Sequence, residues 1–198
     1  MMISEFPQVG DTINDYTFDD ILYSLDSRKI YLATRYDSIS QPQKVVIKVI
    51  SIENDDIQCI NNETNLLLEI NSPFVLNAIE IFDSNGFRFL VTPRISDGDS
   101  LAFAGKCDEL FVKCIIYDVL KGLNYLHEMN IWHRDIKPEN IFIKLNDDQN
   151  KPVTAVVGDL GFAKKFDYQE NQSDEYIGTL PFCSPQIIAN HPCMFSTK

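Results

Sequence analysis

Two short stretches in the second half of the chain hold most of the side chains that could do chemistry. Residues 133–140 read HRDIKPEN, and residues 157–161 read VGDLG. The first stretch places two acids, an amide, a lysine and an arginine in one polar loop, and the second adds a further acid. Apolar runs lie on both sides, at residues 131–132, 141–143 and 155–157. Polar groups held between buried segments are typical of an active site.

A lysine in an apolar strand is a second candidate. Residues 44–50 (KVVIKVI) predict a strand in which period two places Lys48 on the same face as Val46. The sequence leaves two interpretations open: an edge or snorkelling lysine, or a cation that faces an anion with an acid partner behind it. Glu63 is a candidate partner, because the helix predicted over residues 55–70 places it on a partly apolar face.

Hydrophobic periodicity predicts the elements that position these groups. Further strands are predicted at residues 20–23, 30–33, 74–82 and 87–92. The best helix pattern covers residues 109–129 and leads directly into the polar loop. Residues 162–178 are polar without periodicity and predict a mobile loop.

Composition excludes several classes of protein. With 44% hydrophobic and 23% charged residues, the chain has the composition of a soluble globular protein. A net charge of -12 argues against a nucleic-acid binder or a protein of anionic membranes, and no apolar run is long enough to span a membrane. Five cysteines without a CxxC pair indicate free buried thiols in a reducing compartment. A cytoplasmic location is therefore expected.

Lys48, Glu63, the HRDIKPEN loop and the DLG stretch at 159–161 together resemble the catalytic domain of eukaryotic serine/threonine protein kinases. The resemblance covers about residues 16–185. It implies an α+β, bilobal protein-kinase-like fold. The N-lobe would be a small antiparallel β-sheet with one helix, and the C-lobe would be mainly helical. The implied divisions are a lead-in at 1–15, an N-lobe at 16–92 and a partial C-lobe at 93–198.

The family's catalytic roles fall on four residues of the two polar stretches. Asp135 would orient the acceptor hydroxyl and take its proton, and Lys137 would approach the γ-phosphate of ATP. Asn140 and Asp159 would hold Mg²⁺ through their oxygen atoms. A lysine two residues after the catalytic aspartate resembles the serine/threonine branch of the family and not the tyrosine branch.

The family's nucleotide-binding roles fall on residues of the N-terminal half. Lys48 would bind the α- and β-phosphates, oriented by an ion pair with Glu63. Val46 would pack on the adenine, Thr92 would be the gatekeeper residue, and Ile95 would lie in the hinge.

The chain departs from the family at the phosphate-covering loop. Tyr23, Leu25 and Arg28 stand at the three glycine positions, and no glycine occurs between Gly10 and Gly86. Glycines there let the backbone approach the phosphates and supply unhindered amides. Two outcomes are consistent with this change: weak ATP binding, or Arg28 supplying a side-chain cation in place of the amides.

A second departure concerns the C-terminal part of the resemblance. Gln186 stands where the family has a glutamate, and the sequence ends at Lys198, before the helices that complete the family's large lobe. The resemblance therefore implies an incomplete C-lobe with exposed apolar surface. Three explanations stay open: a truncated product, a partial gene model, or a form that needs a partner protein to cover this surface.

Two functions remain open from the sequence. The first is a protein kinase that uses ATP and Mg²⁺ on a protein substrate. The second is a catalytically impaired pseudokinase that serves as a scaffold or binding module.

The resemblance also carries expectations for the segment after the DLG stretch. For regulation, Arg134 would suit a phosphorylated activation loop, with Ser173 or Tyr176 as the phosphorylation sites. Thr179 would contact Asp135 and Lys137.

Overall fold

A computed structural model describes residues 5–36, 41–95, 97–166, 172–173, 177–189 and 193–194 of the 198-residue chain. The chain forms two compact units. The first comprises Met1–Ile70 and Asn77–Arg94, and the second comprises Asn71–Leu76 and Ile95–Lys198. The lobe boundary at residues 92 and 93 stays a prediction.

The first unit is built on a six-stranded antiparallel sheet. Its elements are β1 (Thr12–Ile13), β2 (Tyr16–Ser24), β3 (Arg28–Arg35), β4 (Gln43–Ser51), α1 (Ile57–Glu69), β5 (Glu80–Ser84) and β6 (Phe87–Pro93). The strand order is β1-β2-β3-β4-β6-β5. The strands predicted at 20–23, 30–33, 44–50 and 87–92 are all present. The last two are slightly longer than their patterns, whereas β2 and β3 are at least twice as long as theirs.

Side chains alternate between the two faces of this sheet, and one face forms the core of the unit. The core residues are Tyr16, Phe18, Tyr31, Ala33, Val45, Ile47, Val49, Phe87, Phe89 and Val91. In β4 these are the odd-numbered positions, so period two places Val46 and Lys48 on the opposite face. Burial of the core thereby fixes the direction in which Lys48 points.

The segment before the first strand covers part of this core. The ring of Phe6 lies 4.6 Å from that of Phe87, and the Lys29 ammonium lies 5.0 Å from the centre of the Phe6 ring. The buried Tyr31 hydroxyl donates a hydrogen bond to the Pro7 carbonyl at 2.8 Å. Residues predicted as a polar lead-in are thus part of the packed unit.

Helix α1 begins later than its sequence pattern suggests. The prediction ran over residues 55–70, whereas the helix spans Ile57–Glu69. Asp56 is the N-cap, because its side chain accepts a hydrogen bond from the Gln58 amide at 2.8 Å. The acid therefore satisfies a helix amide from outside the helix.

The second unit contains the long helix and several short strands. Its elements are α2 (Glu109–Glu128), β7 (Ile131–Trp132), β8 (Ile141–Leu145), β9 (Val153–Val157), β10 (Lys164–Lys165), β11 (Gln172–Ser173), α3 (Pro185–Ile188) and β12 (Cys193–Met194). Short 3-10 helices occur at Ser100–Phe103, Pro138–Asn140 and Leu180–Phe182. The strands form three antiparallel pairs, β8 with β9, β7 with β10 and β11 with β12.

The predicted apolar stripe of α2 packs against the β8–β9 hairpin. Val119 belongs to a buried cluster with Ile143 and Ala155. A charge interrupts this interface: Asp118 is 0% exposed, accepts a hydrogen bond from the Ala155 amide at 3.0 Å and pairs with the Lys151 ammonium at 3.1 Å. The apolar pattern of the helix gives no indication that this aspartate is buried.

The strand predicted at 74–82 is wrong in its first half, since β5 begins at Glu80. Phe74 and Leu76 instead exchange backbone hydrogen bonds with Val157 at 2.9 and 2.8 Å, within the second unit. Gly122 permits this packing, because a Cβ there would lie 2.7 Å from the Phe74 carbonyl oxygen. Residues 74–76 of the predicted strand therefore belong to the second unit, and residues 77–82 belong to the first.

The mobile loop predicted at 162–178 is ordered at its start. Lys164–Lys165 forms β10 against β7, and the Phe166 ring lies 4.5 Å from that of Trp132. The Phe166 amide also donates to the Asn130 carbonyl at 2.9 Å. Backbone pairing and one aromatic contact outweigh the polar composition here. Residues 167–171 and 174–176 lie outside the described residues.

Two further expectations concern membranes and thiols. In the described part of the chain, no helix has the length and apolar character needed to cross a membrane. The four cysteines whose side chains are described (Cys59, Cys107, Cys114 and Cys183) form no disulfide. The expectation that the thiols are buried is wrong for these four: Cys59 is exposed at the first turn of α1, and the other three are only partly buried.

Candidate active site

Lys48 and Glu63 form an ion pair in the first unit. The Lys48 ammonium lies 2.7 and 2.9 Å from the two carboxylate oxygens of Glu63. Their side chains are only 16% and 7% exposed. Of the two interpretations that the sequence left open, the structure supports a lysine with an acid partner. An ammonium oriented in this way can bind an anion such as phosphate.

Val46 and Thr92 lie next to each other in the same sheet. They are paired residues of β4 and β6, and the Thr92 hydroxyl donates to the Val46 carbonyl at 3.3 Å. Val46 is half-buried and Thr92 is buried. Ile95 is half-buried and is the first residue of Ile95–Lys198, the longer part of the second unit. Their nucleotide-binding roles stay predictions.

Arg28, predicted to substitute for the glycine amides, is bound to another residue. Its guanidinium lies 2.7 Å from a carboxylate oxygen of Asp55. A direct contact with phosphate would require this ion pair to open or to be shared. That role also stays a prediction.

Asp135 is the centre of a hydrogen-bond network in the second unit. Its side chain is 1% exposed. The Thr179 hydroxyl donates to Oδ1 at 2.7 Å, the Lys137 ammonium lies 2.9 Å from Oδ2, and the Asn140 amide donates to Oδ2 at 3.1 Å. Lys137 also donates to the Thr179 hydroxyl at 2.8 Å. The predicted contact of Thr179 with both residues is thereby confirmed.

The network keeps this carboxylate ionised. Burial acts to raise the pKa of Asp135, but the hydrogen bonds from Lys137, Thr179 and Asn140, with the positive charge of Lys137, together outweigh burial and hold the pKa below its ordinary value. The hydrogen bond to Asp135 raises the pKa of Lys137, so that the ammonium stays charged. The result is a fixed carboxylate with a fixed cation beside it.

His133 connects the two polar stretches. Its Nε2 lies 2.7 Å from the Gly158 carbonyl oxygen, and its Nδ1 accepts a hydrogen bond from the Asp135 amide at 3.3 Å. A carbonyl can only accept, so Nε2 carries the proton. Burial is the largest influence and lowers the pKa of His133, which favours the neutral ring. A hydrogen bond from the Gly158 amide to the Asn140 carbonyl at 2.8 Å joins the stretches a second time.

Asp159 follows this junction in a left-handed backbone conformation, with φ 56°. Arg134 has a similar value, φ 64°, and its Nε donates to the Phe162 carbonyl at 2.7 Å. Neither residue is a glycine, and such conformations cluster at functional sites. Ser173 and Tyr176, predicted as phosphorylation sites, have no described side chains, so the regulatory prediction is untested.

Asn140 and Asp159 have the donor atoms that Mg²⁺ requires. Both hydrogen bonds of the Asn140 Nδ2 go to Asp135, one to its carboxylate and one to its carbonyl at 2.8 Å. The carbonyl oxygen Oδ1 of Asn140 is therefore the atom that can bind a cation, and Asp159 adds an exposed carboxylate. Two oxygen ligands suit a cation that completes its shell with phosphate and water. Among the described residues, no group of three or more His, Cys, Asp or Glu could hold a metal by itself.

Gly178 lets the segment that carries Thr179 approach the polar loop. Its φ is 118°, and a Cβ there would lie 2.9 Å from the Arg134 carbonyl oxygen and 3.9 Å from Asp135 Oδ1. The sequence offers a usable signal for this role, because Gly178 directly precedes Thr179, which is expected to contact Asp135 and Lys137. A cavity of about 220 Å³ lies beside it, lined by residues including Asp135, Thr179 and Phe182.

Similarity to known proteins agrees with this arrangement. The family described as "Protein kinase domain" matches residues 30–198. A calcium/calmodulin-dependent protein kinase of Emericella nidulans is 30% identical over 150 residues, which is 73% of this chain and 36% of that protein. Calcium-dependent protein kinase 4 of Plasmodium berghei is 30% identical over 149 residues, or 72% of this chain and 28% of that protein.

A third relative matches more of the chain at lower identity. A meiosis-specific serine/threonine-protein kinase of Saccharomyces cerevisiae is 25% identical over 183 residues, which is 88% of this chain and 35% of that protein. The chain thus aligns with between 28% and 36% of the length of these three relatives.

Proposed function

The chain belongs to the protein kinase domain family, and on this basis we propose that it transfers the γ-phosphate of ATP to a serine or threonine hydroxyl of a protein substrate. The relatives named as serine/threonine or calcium-dependent protein kinases support this class of reaction. The family uses ATP and Mg²⁺ in general, and we propose the same pair for this chain.

The position of the Thr179 hydroxyl carries the proposal. It donates to Asp135 Oδ1 at 2.7 Å and accepts from the Lys137 ammonium at 2.8 Å. These are the two contacts that a hydroxyl acceptor needs, a base for its proton and a cation beside its oxygen. These contacts of the chain's own threonine support a site that binds an acceptor hydroxyl in this way.

Each residue of this network would have a role in the transfer. The acceptor oxygen forms a bond to the γ-phosphorus while the bond to the ADP oxygen breaks, and the hydroxyl proton passes to Asp135. Lys137 offsets the negative charge that remains on the transferred group. Asn140 holds the carboxylate of Asp135 in place through its amide nitrogen. Because binding at this site orients the hydroxyl, much of the entropy cost of aligning it with the γ-phosphate is met before the transfer step.

We propose that Asn140 and Asp159 hold Mg²⁺, which neutralises phosphate charge when it is bound. Lys48, oriented by Glu63, would bind the α- and β-phosphates. Val46, Thr92 and Ile95 would contact the adenine side of the nucleotide.

Thermal unfolding with and without ATP and Mg²⁺ tests nucleotide binding. A ligand that binds only the folded chain raises the unfolding midpoint, so we expect a rise at millimolar ATP with Mg²⁺. The absence of any rise would contradict the kinase proposal for this chain.

Phosphate transfer to a generic protein acceptor tests the assigned roles. Asp135→Asn should lower kcat by about 10²–10⁴-fold, the usual contribution of a positioned base, and leave the thermal shift with ATP in place. Asp147→Asn is a matched control, because Asp147 is exposed on the β8–β9 turn. Full activity in Asp135→Asn would disprove the role of Asp135.

A scaffold or binding module is the second candidate function. The observation that favours it is the β2–β3 turn, where Tyr23, Leu25 and Arg28 replace glycines and Arg28 is bound by Asp55. On this alternative the thermal shift with ATP is absent in the wild type, and binding to a protein partner persists in Asp135→Asn.

A further inference from the structure

Asp55 gathers three hydrogen-bond donors just before helix α1. The Arg28 guanidinium lies 2.7 Å from Oδ2 and donates to Oδ1 at 3.1 Å, so it contacts both carboxylate oxygens. The Ser27 hydroxyl donates to Oδ2 at 3.1 Å, and the Asp56 amide donates to Oδ1 at 2.9 Å. The Asp55 side chain is only 11% exposed, whereas that of Arg28 is 38% exposed.

Two of these donors belong to the turn of the β2–β3 hairpin. The Leu25 amide donates to the Arg28 carbonyl at 2.8 Å and closes the turn, and the Ser51 amide at the end of β4 donates to the Ser27 carbonyl at 2.8 Å. The turn is thus connected to residues beyond its own hairpin through both backbone and side chains.

The third donor belongs to the start of α1. Asp56 caps the helix through the Gln58 amide, and the helix carries Glu63, which binds Lys48. A chain of direct contacts therefore runs from the hairpin turn through Asp55 and Asp56 to the helix that orients Lys48.

We propose that Arg28 and Asp55 are a positioning pair, which fixes the β2–β3 turn to the N-terminus of α1 in place of a flexible glycine turn. Arg28 then acts on the nucleotide through the position of the turn and not as a ligand of its phosphates. The part of this inference that concerns ATP rests on the proposed kinase function. The link between turn and helix does not depend on it.

A double-mutant cycle on the full chain separates the two roles of Arg28. As a positioning pair, Arg28→Ala and Asp55→Asn should each raise the KM for ATP by about threefold to tenfold with little change in kcat, and the double variant should be no worse than either one, as expected for coupled residues. Arg28→Lys should recover part of the loss. If Arg28 were a phosphate ligand, Asp55→Asn would leave KM unchanged or lower it, and the proposal would be overturned.

Hydrogen exchange supplies a readout that needs no ATP. Both single variants should speed exchange of the Leu25 and Ser51 amides in the hairpin region and of the Gln58 amide in α1, because the pair joins these regions. The positioning pair would be overturned if exchange became faster only in the hairpin region or only in α1. It would also be overturned if exchange were no faster than in the control variant Lys44→Ala. Failure of the kinase proposal would instead appear in the wild type, as an absent thermal shift with ATP.

The matched control is the ion pair of Lys44 and Asp19 on the same sheet. Its ammonium and carboxylate lie 2.9 Å apart with side chains 48% and 27% exposed, and Lys44 pairs with Thr34 at the end of β3 away from the turn. Lys44→Ala should change neither the KM for ATP nor exchange at α1. An effect equal to that of Arg28→Ala would show that the loss of any ion pair on the sheet is sufficient, and would overturn the proposal.

Discussion

The polar loop at 133–140 and the turn of the β2–β3 hairpin differ in how their geometry is held. In the loop, side chains bind one another, and Asp135 alone receives hydrogen bonds from Thr179, Lys137 and Asn140. In the hairpin, Tyr23 and Leu25 are 50% and 49% exposed, and the contacts made at Asp55 fix the backbone. The groups that we propose to move protons are therefore held by one another, whereas the segment expected to cover phosphates is held by contacts to a neighbouring acid.

After Asp135→Asn, the largest effect on the loop should come from Asn140→Ala. It removes a proposed metal ligand and the two hydrogen bonds that the Asn140 amide donates to Asp135, so we expect transfer to fall by about 100-fold. The free energy of unfolding should fall by about 1–3 kcal/mol, because buried acceptors lose their donor. Rates of phosphate transfer and thermal melts measure the two effects.

Asn146→Ala is the control for this variant. The Asn146 amide also donates two hydrogen bonds, to the Lys151 carbonyl at 3.0 Å and to Thr154 at 2.9 Å, but it lies in the β8–β9 turn. It should lose stability and keep its transfer rate. Equal loss of transfer in both variants would show that stability alone limits activity.

Gly178→Ala should have an intermediate effect. A residue with φ 118° and a Cβ 2.9 Å from the Arg134 carbonyl must shift the Thr179 segment, at a cost of about 1–3 kcal/mol. We expect a lower kcat and a lower melting temperature. Gly98→Ala has a similar backbone strain, φ +99°, with no atom within 4 Å of the added Cβ, so it should be destabilised less and remain active. Unchanged kcat in Gly178→Ala would contradict the close-approach role.

Replacing Tyr23 and Leu25 by glycine tests the hairpin directly. Both side chains are half exposed, so the double variant should lose only about 1–2 kcal/mol of stability, mainly backbone entropy. Backbone amides that can approach phosphates should lower the KM for ATP. A KM that rises or stays constant would show that the missing glycines do not limit nucleotide binding.

His133→Gln should have the smallest effect and should depend on pH. Burial holds the pKa of folded His133 below its ordinary value of 6.5. Below about pH 6.5, residue 133 takes up a proton in the unfolded chain but not in the folded chain. The contribution of neutral His133 to the free energy of unfolding is therefore full above that pH and falls as the pH decreases. Melting temperatures of His133→Gln should decline less from pH 7 to pH 5 than those of the wild type. His127→Gln, at an exposed position of α2, should follow the wild type.

Much of the fold could be predicted from the sequence, because burial imposes a period on long elements. The fold class, α+β with an antiparallel sheet in the first unit, is confirmed, and α2 lies within one residue of its predicted bounds. The two-residue strand β10 was missed, since no period can be read from Lys164–Lys165. The run at 74–82 was misassigned because an apolar run does not reveal which partner it pairs with.

The candidate site was predicted through residue types whose chemistry is specific, such as Asp135 and Lys137. What could not be predicted is how side chains share partners. Arg28 was expected to face phosphate, yet an acid 27 residues away binds it, and no local pattern encodes that distance. The left-handed backbone at Arg134 and Asp159 is likewise imposed by the surrounding fold.

The aromatic packing of residues before β1 has a practical consequence for protein production. The family match begins at residue 30, but β2 and the contacts of Phe6 and Pro7 precede it. A recombinant fragment cut at the family boundary would leave β3 with an open edge, which can recruit strands from other molecules. It would also expose the Phe87 face to solvent. Expression for crystallisation should therefore start upstream of Phe6, and aggregation of shorter fragments would reflect this missing cover and not a fault of the catalytic region.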